Sequence, residues 1–128
     1  MRITKQILID AKACNDQVKL FEKTFPDGAT WPDDVEKASR AGLDVSWAAR
    51  KFKLSGRCLG WHDNGQLWYD HNYEHGKRHG RSRWWYDNGQ RFYDHNYEHG
   101  ERHGRCWGWY SNGQLRYDVN YEHGIEVR

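Results

Sequence analysis

The sequence predicts an α+β protein: a short N-terminal helical bundle followed by an antiparallel β-sheet of three hairpin repeats. Residues 56–128 hold one segment written three times, and the copies 56–79, 80–103 and 104–128 recur every 24 residues. A fixed period of this size indicates a repeat array, in which each copy covers its apolar face with its neighbours. Residues 1–55 carry apolar residues at helical spacing instead, so we predict a separate helical domain there.

The first helical segment is predicted from an apolar stripe whose neighbouring members are three or four residues apart. Its members are Ile3, Ile7, Ala11, Cys14, Val18, Phe21 and Phe25. Thr4 and Asp10 are both suitable N-cap residues, so the stripe is compatible with one helix or with two helices that break near Asp10. Pro26 and Gly28 then predict a stop and a turn.

Two more helices are predicted before the repeats. Thr30 is suited to cap the second helix, with Pro32 in its first turn, and Gly42 is suited to end it. Asp44 is suited to cap the third. The apolar edge of this third helix contains Val45, Ala48 and Phe52, with Trp47 alongside. Because a repeat array needs its terminal unit covered, we expect the helices to sit on one end of the sheet.

Each repeat is predicted to form a β-hairpin. Asn-Gly follows Asp or Ser at 63–65, 87–89 and 111–113, and Asn-Gly between aromatic runs is the strongest short hairpin signal. A second turn is predicted at the Glu-His-Gly segments 74–76, 98–100 and 122–124. In the first copy the two strands then cover roughly 57–62 and 66–73.

The register across the first turn has two solutions. A two-residue loop places Trp61 opposite Trp68, whereas a three-residue loop places Trp61 opposite Leu67. We favour the three-residue loop because it gathers apolar residues on one face, namely Leu59, Trp61, Leu67, Tyr69 and Tyr73. The opposite face of that register sets Gly60 against Trp68 and Trp84 against Phe92.

Side-chain alternation along the second strand predicts two tyrosine ladders across the repeats. The first ladder contains Tyr69, Tyr93 and Tyr117, and the second contains Tyr73, Tyr97 and Tyr121. We expect the rings of each ladder to stack on one another.

Composition and charge limit the function classes. Aromatic residues make up 16 % of the chain, which favours a thin sheet covered by rings over a thick aliphatic core. Residues 56–128 hold ten basic and ten acidic side chains, so nucleic acid is disfavoured as a partner. No apolar run is long enough to cross a membrane, and the N-terminus lacks the apolar core of a signal peptide, so we expect a cytoplasmic location.

We predict free thiols and no catalytic or cofactor site. Cys58 lies in the first copy and Cys106 at the same position of the third. With two strands per copy and strands ~4.8 Å apart, the two cysteines are ~19 Å apart, which is too far for a disulfide. Cys58 is expected opposite His71, but Cys106 faces Val119, so no thiol–imidazole pair recurs. We therefore expect the chain not to be an enzyme.

The histidines suggest a metal site only at first sight. They recur every four residues as His71, His75 and His79, and as His95, His99 and His103. That spacing gathers ligands on a helix, but here it crosses a strand and a turn. The turn histidines His75, His99 and His123 recur at hairpin spacing of ~10 Å, too far apart to share one ion. We predict no metal site.

The repeats resemble a known family. The run from Tyr69 and Tyr73 through Gly76, Lys77, Arg78 and His79 to Gly80 is similar to a MORN repeat, and the added Asp-Asn-Gly-Gln-Leu turn resembles the variant common in bacteria. His71, His95 and Val119 stand where that pattern has glycine. The resemblance covers residues 56–128 and implies a single-layer, twisted sheet. It also implies a scaffold or binding module, with membrane-lipid binders and antitoxins among the members. Residues 13–49 resemble helical leaders of bacterial and phage repeat proteins.

The predicted partner-binding residues are aromatic and arginine side chains at positions that differ between copies. They are Trp68, Arg83, Trp84, Arg91, Phe92, Trp107 and Arg116. Such residues carry most interface energy, and a rigid sheet presents them at little ordering cost. We therefore predict a non-enzymatic protein-binding module that acts by occlusion or scaffolding, such as an antitoxin, an immunity protein or an anti-CRISPR-like inhibitor of a host defence complex.

Three further interactions are compatible with the sequence. Peripheral lipid binding and single-stranded nucleic-acid binding through the tryptophan and arginine face are the alternatives to protein binding. Self-association is expected through the last strand, 115–121, because an unpaired strand edge is a template for pairing.

Overall fold

Residues 1–127, the part of the chain that the computed structural model describes, form four short helices and eleven strands. The N-terminal part contains β1 (Arg2–Ile3), α1 (Lys5–Asp10), α2 (Asn15–Thr24), β2 (Ala29–Thr30), α3 (Val35–Arg40) and α4 (Val45–Lys51). The first repeat contains β3 (Gly56–Trp61), β4 (Leu67–Glu74) and β5 (Lys77–Arg78). The second contains β6 (Gly80–Trp85), β7 (Arg91–Glu98) and β8 (Glu101–Arg102). The third contains β9 (Gly104–Trp109), β10 (Leu115–Glu122) and β11 (Ile125–Val127).

The first apolar stripe forms two helices rather than one. Thr4 caps α1, and its hydroxyl accepts a hydrogen bond from the backbone N–H of Ile7 at 3.3 Å. Asp10 is the last residue of α1 and not a cap, because the next helix begins only after Cys14. Lys12, with a φ of 64°, makes the left-handed turn between them.

The start of the next helix was wrongly assigned to Thr30. Thr30 lies in β2 and pairs with Arg2 of β1, so its backbone is already used in a ladder. α3 begins after Asp34, whose carboxylate accepts a hydrogen bond from the Thr30 N–H at 2.7 Å. The other two helix signals are confirmed. Gly42 follows the end of α3 with a φ of 96°, and Asp44 caps α4 by accepting from the Trp47 N–H at 2.9 Å.

The large sheet is a continuous series of antiparallel hairpins. Its strand order is β11-β10-β9-β7-β6-β4-β3, with the two-residue strands β5 and β8 pairing with β4 and β7. The repeats are therefore joined in sequence order, with β4 of the first pairing with β6 of the second and β7 of the second pairing with β9 of the third. The fold class predicted from the 24-residue period, α+β with three hairpin repeats, is confirmed.

A β-bulge in each repeat decides which side chains share a face. In the first hairpin Trp61 pairs with Leu67, as the three-residue loop requires, but Gly60 then pairs with Tyr69 and not with Trp68. Trp68 is thus the extra residue of a bulge, where the alternation of side chains changes phase. The corresponding bulge residues of the later copies are Phe92 and Arg116.

The bulge overturns the predicted grouping of apolar residues. Leu59 pairs with Asp70, so Leu59 and Trp61 lie on the side opposite Tyr69 and Tyr73. We call the side with Tyr69, His71 and Tyr73, and their counterparts in the other copies, the tyrosine face. We call the side with Asp70, Asp94 and Asp118 the aspartate face.

The helices cover the first strand of the sheet. α3 and α4 pack against β3, and the shared core contains Ala49 and Cys58, both fully buried. The indole N–H of Trp31 donates to the backbone carbonyl of Ser55 at 2.9 Å and so ties the helical part to the start of the repeats.

The helical part also continues the hydrogen-bond pattern of the repeats. The N–H groups of Gly100 and Gly124 donate to the carbonyls of Arg78 and Arg102, each at 2.8 Å. In the first repeat the N–H of Gly76 donates to the carbonyl of Leu54, 24 residues before Arg78, at 3.0 Å. Leu54 therefore plays the part for the first repeat that Arg78 and Arg102 play for the second and third. The 24-residue spacing of these carbonyls thus extends back to the segment that follows α4.

Candidate functional site

The predicted partner-binding residues are divided between the two faces. Trp84 and the bulge residues Trp68, Phe92 and Arg116 lie on or beside the tyrosine face, as their ring contacts show. Arg83, Arg91 and Trp107 lie on the aspartate face, among the carboxylates. The sequence could not separate the two groups because the bulge changes the face of each side chain that follows it.

The bulge residues form a row beside the hairpin turns. Each contacts the side chain six positions earlier, as the tilted ring pair His62–Trp68 (5.6 Å), the stacked pair Tyr86–Phe92 (4.7 Å) and Arg116 over the Tyr110 ring (5.8 Å). Trp68 remains 38 % exposed although it contacts three other rings. We call Trp68, Phe92 and Arg116 the bulge row. Its members are held in fixed orientations and still reach solvent, which suits a binding surface.

Trp84 is the one large side chain in a column that is otherwise glycine. It pairs with Tyr93, and not with Phe92 as predicted, and its ring lies between Tyr69 and Tyr93 at 5.8 Å from each. Gly60 and Gly108 hold the same position in the other copies. There the neighbouring tyrosine ring lies directly over the strand, so a Cβ would overlap it.

On the aspartate face, Asp70 is buried between two arginines. Its carboxylate accepts from Arg57 at 2.8 Å and from Arg83 at 2.5 Å. Burial alone would raise the pKa of Asp70, but the hydrogen bonds and charges of the two guanidinium groups outweigh it, and the pKa of Asp70 lies below its usual range. Arg83, one of the predicted partner residues, is therefore committed to this ion pair.

The other arginines of the aspartate face are also paired. Asp94 accepts from Arg81 at 2.5 Å and lies 3.8 Å from Arg91, while Asp118 accepts from Arg105 at 2.7 Å. Each of these guanidinium groups has an acidic partner. Three of the face's arginines also lie over tryptophan rings: Arg83 over Trp85, Arg91 over Trp109 and Arg105 over Trp107.

The two tyrosine rows exist, but their rings do not stack directly on each other. In the first row Trp84 is inserted between Tyr69 and Tyr93. In the second row arginines link the hydroxyls, as Arg50–Tyr73 (3.3 Å), Arg78–Tyr97 (3.3 Å) and Arg102–Tyr121 (3.2 Å). We call Arg50, Arg78 and Arg102 the arginine row. Equivalent tyrosines of successive repeats are two strand spacings, or ~10 Å, apart. This distance leaves room for another side chain between the two rings.

Two buried histidines lie between the tyrosine rows. His71 and His95 are 2 % and 3 % exposed, and their Nε2 atoms hydrogen-bond the hydroxyls of Tyr93 (3.2 Å) and Tyr117 (2.5 Å). Burial, reinforced by the neighbouring arginine charges, lowers the pKa of His71 to about 3 and that of His95 to about 4. Both rings are neutral at pH 7. The sequence placed them on this face but gave no sign of their burial.

The cysteines and turn histidines make other contacts than those of a reactive site. Cys58 lies opposite His71, as predicted, but burial raises the pKa of its thiol to about 12, away from the range of an activated nucleophile. The cysteines of the described residues are free thiols. Two of the turn histidines lie beside a histidine of the preceding repeat, with the rings of His79 and His99 5.2 Å apart and those of His103 and His123 5.1 Å apart. Within residues 1–127 no three potential ligands converge on a metal site.

Comparison with known families agrees with this geometry. The family model of the MORN repeat variant matches residues 54–75, 78–99 and 102–123, slightly over half of the chain. The chain belongs to the MORN repeat variant family. MORN repeats generally bind proteins or membrane lipids, so this chain is a repeat-based binding module. No curated protein and no solved structure matches it.

Each matched segment begins at a residue whose carbonyl accepts a hydrogen bond from the following hairpin turn. Residue 54 starts the first match, and 78 and 102 start the next two, which are the positions whose carbonyls accept from Gly76, Gly100 and Gly124. Among the described residues, no helix combines the length and the apolar character that a membrane span requires.

Proposed function

We propose that this MORN repeat protein is a non-enzymatic module that binds another protein through the bulge row and Trp84. The observation that carries the proposal is Trp68, which stays 38 % exposed while three ring contacts fix its orientation. A tryptophan that is ordered before binding loses little conformational entropy in a complex, and such residues dominate interface energies.

Differences between the repeats support the same surface. The three bulge positions hold Trp, Phe and Arg, although the strands around them keep the same sequence. A position with no common structural requirement is free to match a partner. The variable residues of the aspartate face, Arg83, Arg91 and Trp107, are engaged by carboxylates or by a stacked arginine of the chain itself.

We further propose that binding blocks the partner. The rigidity of a hydrogen-bonded sheet, and the antitoxins among the proteins whose repeats this sequence resembles, favour an antitoxin, an immunity protein or an inhibitor of a host defence complex, from a bacterium or phage. A rigid surface of this kind acts by occlusion or as a scaffold, in the cytoplasm, without a cofactor.

The test is reconstitution of a complex with defined composition. The full chain is used to isolate its partner from the native host. The two purified proteins are then mixed, and the molar mass of the complex is measured by light scattering. We expect a complex of fixed stoichiometry that Trp68→Ala with Phe92→Ala weakens by at least about tenfold. Lys19→Ala, an exposed change on α2, is the matched control.

The alternatives give different results in the same assay. Retention on anionic vesicles that falls with salt, in the absence of a protein complex, would replace protein binding with lipid binding. Retention of single-stranded oligonucleotides, lost in Trp68→Ala, would assign the surface to nucleic acid instead.

A further inference from the structure

The arginine row differs from the arginines on the other side of the sheet in having no acidic partner. Those of the aspartate face each contact a carboxylate. Among the described residues, Arg50, Arg78 and Arg102 have hydrogen bonds to tyrosine hydroxyls but no carboxylate at ion-pair distance. Three positive charges thus lie in one line on the tyrosine face, and residues 1–127 place no carboxylate at ion-pair distance from them.

These guanidinium groups retain capacity to bind an anion. Each has five N–H donors in a fork, and its tyrosine contact uses few of them. Arg50 is exposed, whereas Arg78 and Arg102 are half-buried, where a cation without a counter-ion is costly. An incoming carboxylate supplies that counter-ion and forms two short hydrogen bonds with one guanidinium.

The spacing of the row selects the form of the ligand. Arg78 and Arg102 are one repeat apart, which is two strand spacings or ~10 Å. An α-helix advances ~1.5 Å per residue, so side chains seven residues apart lie ~10.5 Å apart on the same side of the helix. In an extended strand, ~10 Å is the distance between residues i and i+3, whose side chains point to opposite sides of the strand.

We propose that the arginine row binds an acidic α-helix that crosses the strands of the tyrosine face, with carboxylates seven residues apart paired to successive arginines. This inference rests on the proposed function, because it names the chemistry of the partner at the same face. The row ends at Arg50 of α4, so the helical cap contributes one of the three contacts.

Charge favours a protein ligand over the other polyanions. The repeats hold ten basic and ten acidic side chains, so the long-range attraction on which nucleic acids and anionic membranes depend is weak. Arg50, Arg78 and Arg102 lie in one line, which suits a few carboxylates on one side of a helix.

The experiment uses the full chain and two synthetic helical peptides of the same composition. One has three glutamates spaced by seven residues, and the other has them spaced by five, which places them on different sides of the helix. Binding is measured by fluorescence anisotropy at two salt concentrations. We expect the first peptide to bind at least about tenfold more tightly, and salt to weaken it.

Matched variants locate the contact. Arg102→Gln is expected to weaken binding of the first peptide about tenfold, whereas Arg105→Gln, three residues away on the aspartate face, is expected to leave it unchanged. Arg102→Lys keeps the charge but loses the fork, and we expect an intermediate value. Melting curves of all three variants confirm that the sheet has formed.

The failing outcomes are separate from those of the proposed function. Equal affinity for both peptides, no binding of either peptide, or an equal effect of Arg105→Gln overturns the acidic-helix inference. A native complex that tolerates Arg102→Gln and high salt also overturns it, while leaving the proposed protein binding intact. If Arg102 is needed for binding of anionic vesicles or single-stranded DNA and neither peptide binds, the arginine row binds that ligand and the acidic-helix inference is wrong.

Discussion

The two ends of the sheet carry the same repeat sequence in different surroundings. At the first end, the helices supply the contacts of a preceding repeat: the Leu54 carbonyl, the Ser55 hydroxyl, which accepts from the His75 N–H at 2.9 Å, and the Arg50 guanidinium. At the other end, Leu115 and Ile125 are 54 % and 70 % exposed. Position in the array therefore contributes to how well a repeat is packed.

Equivalent side chains show the size of this difference. Tyr69 is 8 % exposed, whereas Tyr117 at the same repeat position is half-buried. Asp70 has two arginine partners and is 3 % exposed, whereas Asp118 has one and its side chain is 32 % exposed. The first repeat should thus contribute most of the stability of the sheet, and the third repeat should open most readily.

The largest expected effect comes from adding a methyl group under the two tyrosine rings. Gly60→Ala places a Cβ within the ring of Tyr69, which the helical cap holds in place, so we expect a loss of about 3 kcal/mol in the free energy of unfolding. Gly108→Ala meets Tyr117, which is only half-buried at the open end of the sheet, and should cost about 1 kcal/mol. Urea denaturation measures both. Equal losses would show that the two ends are packed alike.

Acid should act on the first two repeats and spare the third. The pKa values of His71 and His95 in the folded chain, about 3 and about 4, lie below the ordinary 6.5, so the unfolded chain binds more protons between these values. Stability is then complete above pH 6.5 and falls as the pH decreases toward 4. We expect a loss of about 2 kcal/mol between pH 6.5 and 5.5.

The third repeat provides the control for this pH effect. It has Val119 where the other copies have histidine. Replacing both residues, His71→Val with His95→Val, should flatten the pH dependence in that window, as followed by urea denaturation at each pH. A slope that persists in the double variant would assign it to other groups.

The ion pairs of the aspartate face should differ in the same direction. Asp70→Asn leaves two guanidinium groups without their shared carboxylate, and because both arginines are partly exposed we expect a loss of about 1.5 kcal/mol. Asp118→Asn, with one arginine at the exposed end, should leave the free energy of unfolding unchanged. Thermal melts at low and high salt compare the two, and a larger loss in Asp118→Asn would contradict this order.

The smallest effect on stability is expected at the exposed edge, where the change should appear in assembly instead. The prediction that 115–121 is an uncovered strand is wrong in part, because β11 pairs with Asn120–Glu122 of β10. We propose that the rest of β10 and the outer side of β11 pair with a second copy, so wild-type protein should self-associate as its concentration rises. Leu115→Lys with Val127→Lys should abolish this in sedimentation velocity and change stability by less than about 0.5 kcal/mol. A wild-type chain that stays monomeric at every concentration would refute pairing through this edge.

The 24-residue period was sufficient to predict the hairpins and their order. Their turns are fixed by local chemistry, since Asn-Gly tolerates the positive φ that Gly65 adopts, at 86°. The bulge at Trp68 has no such local sign, because any residue can be the extra one. It is seen only in the register of the two strands, where Gly60 pairs with Tyr69 and Trp68 is passed over. The predicted faces were wrong for that reason.

The candidate site was predicted in part. Variation between copies pointed to the bulge row and to Trp84, whose positions the structure places together. It also selected Arg83 and Arg91, which pair with carboxylates of the chain. The arginine row was missed because Arg78 and Arg102 belong to the common pattern, and because Arg50 comes from a helix outside the 24-residue phase. Only three-dimensional contacts relate Arg50 to the other two.

The phase match at Leu54 has a consequence for how such a chain can change in length. Inserting or deleting one residue between α4 and β3 would shift every cross-repeat hydrogen bond at that junction, whereas duplicating a complete 24-residue unit would preserve them all. Homologous chains that keep this helical module should therefore vary by whole units, and the module should serve as a transferable starting piece for designed arrays of any length.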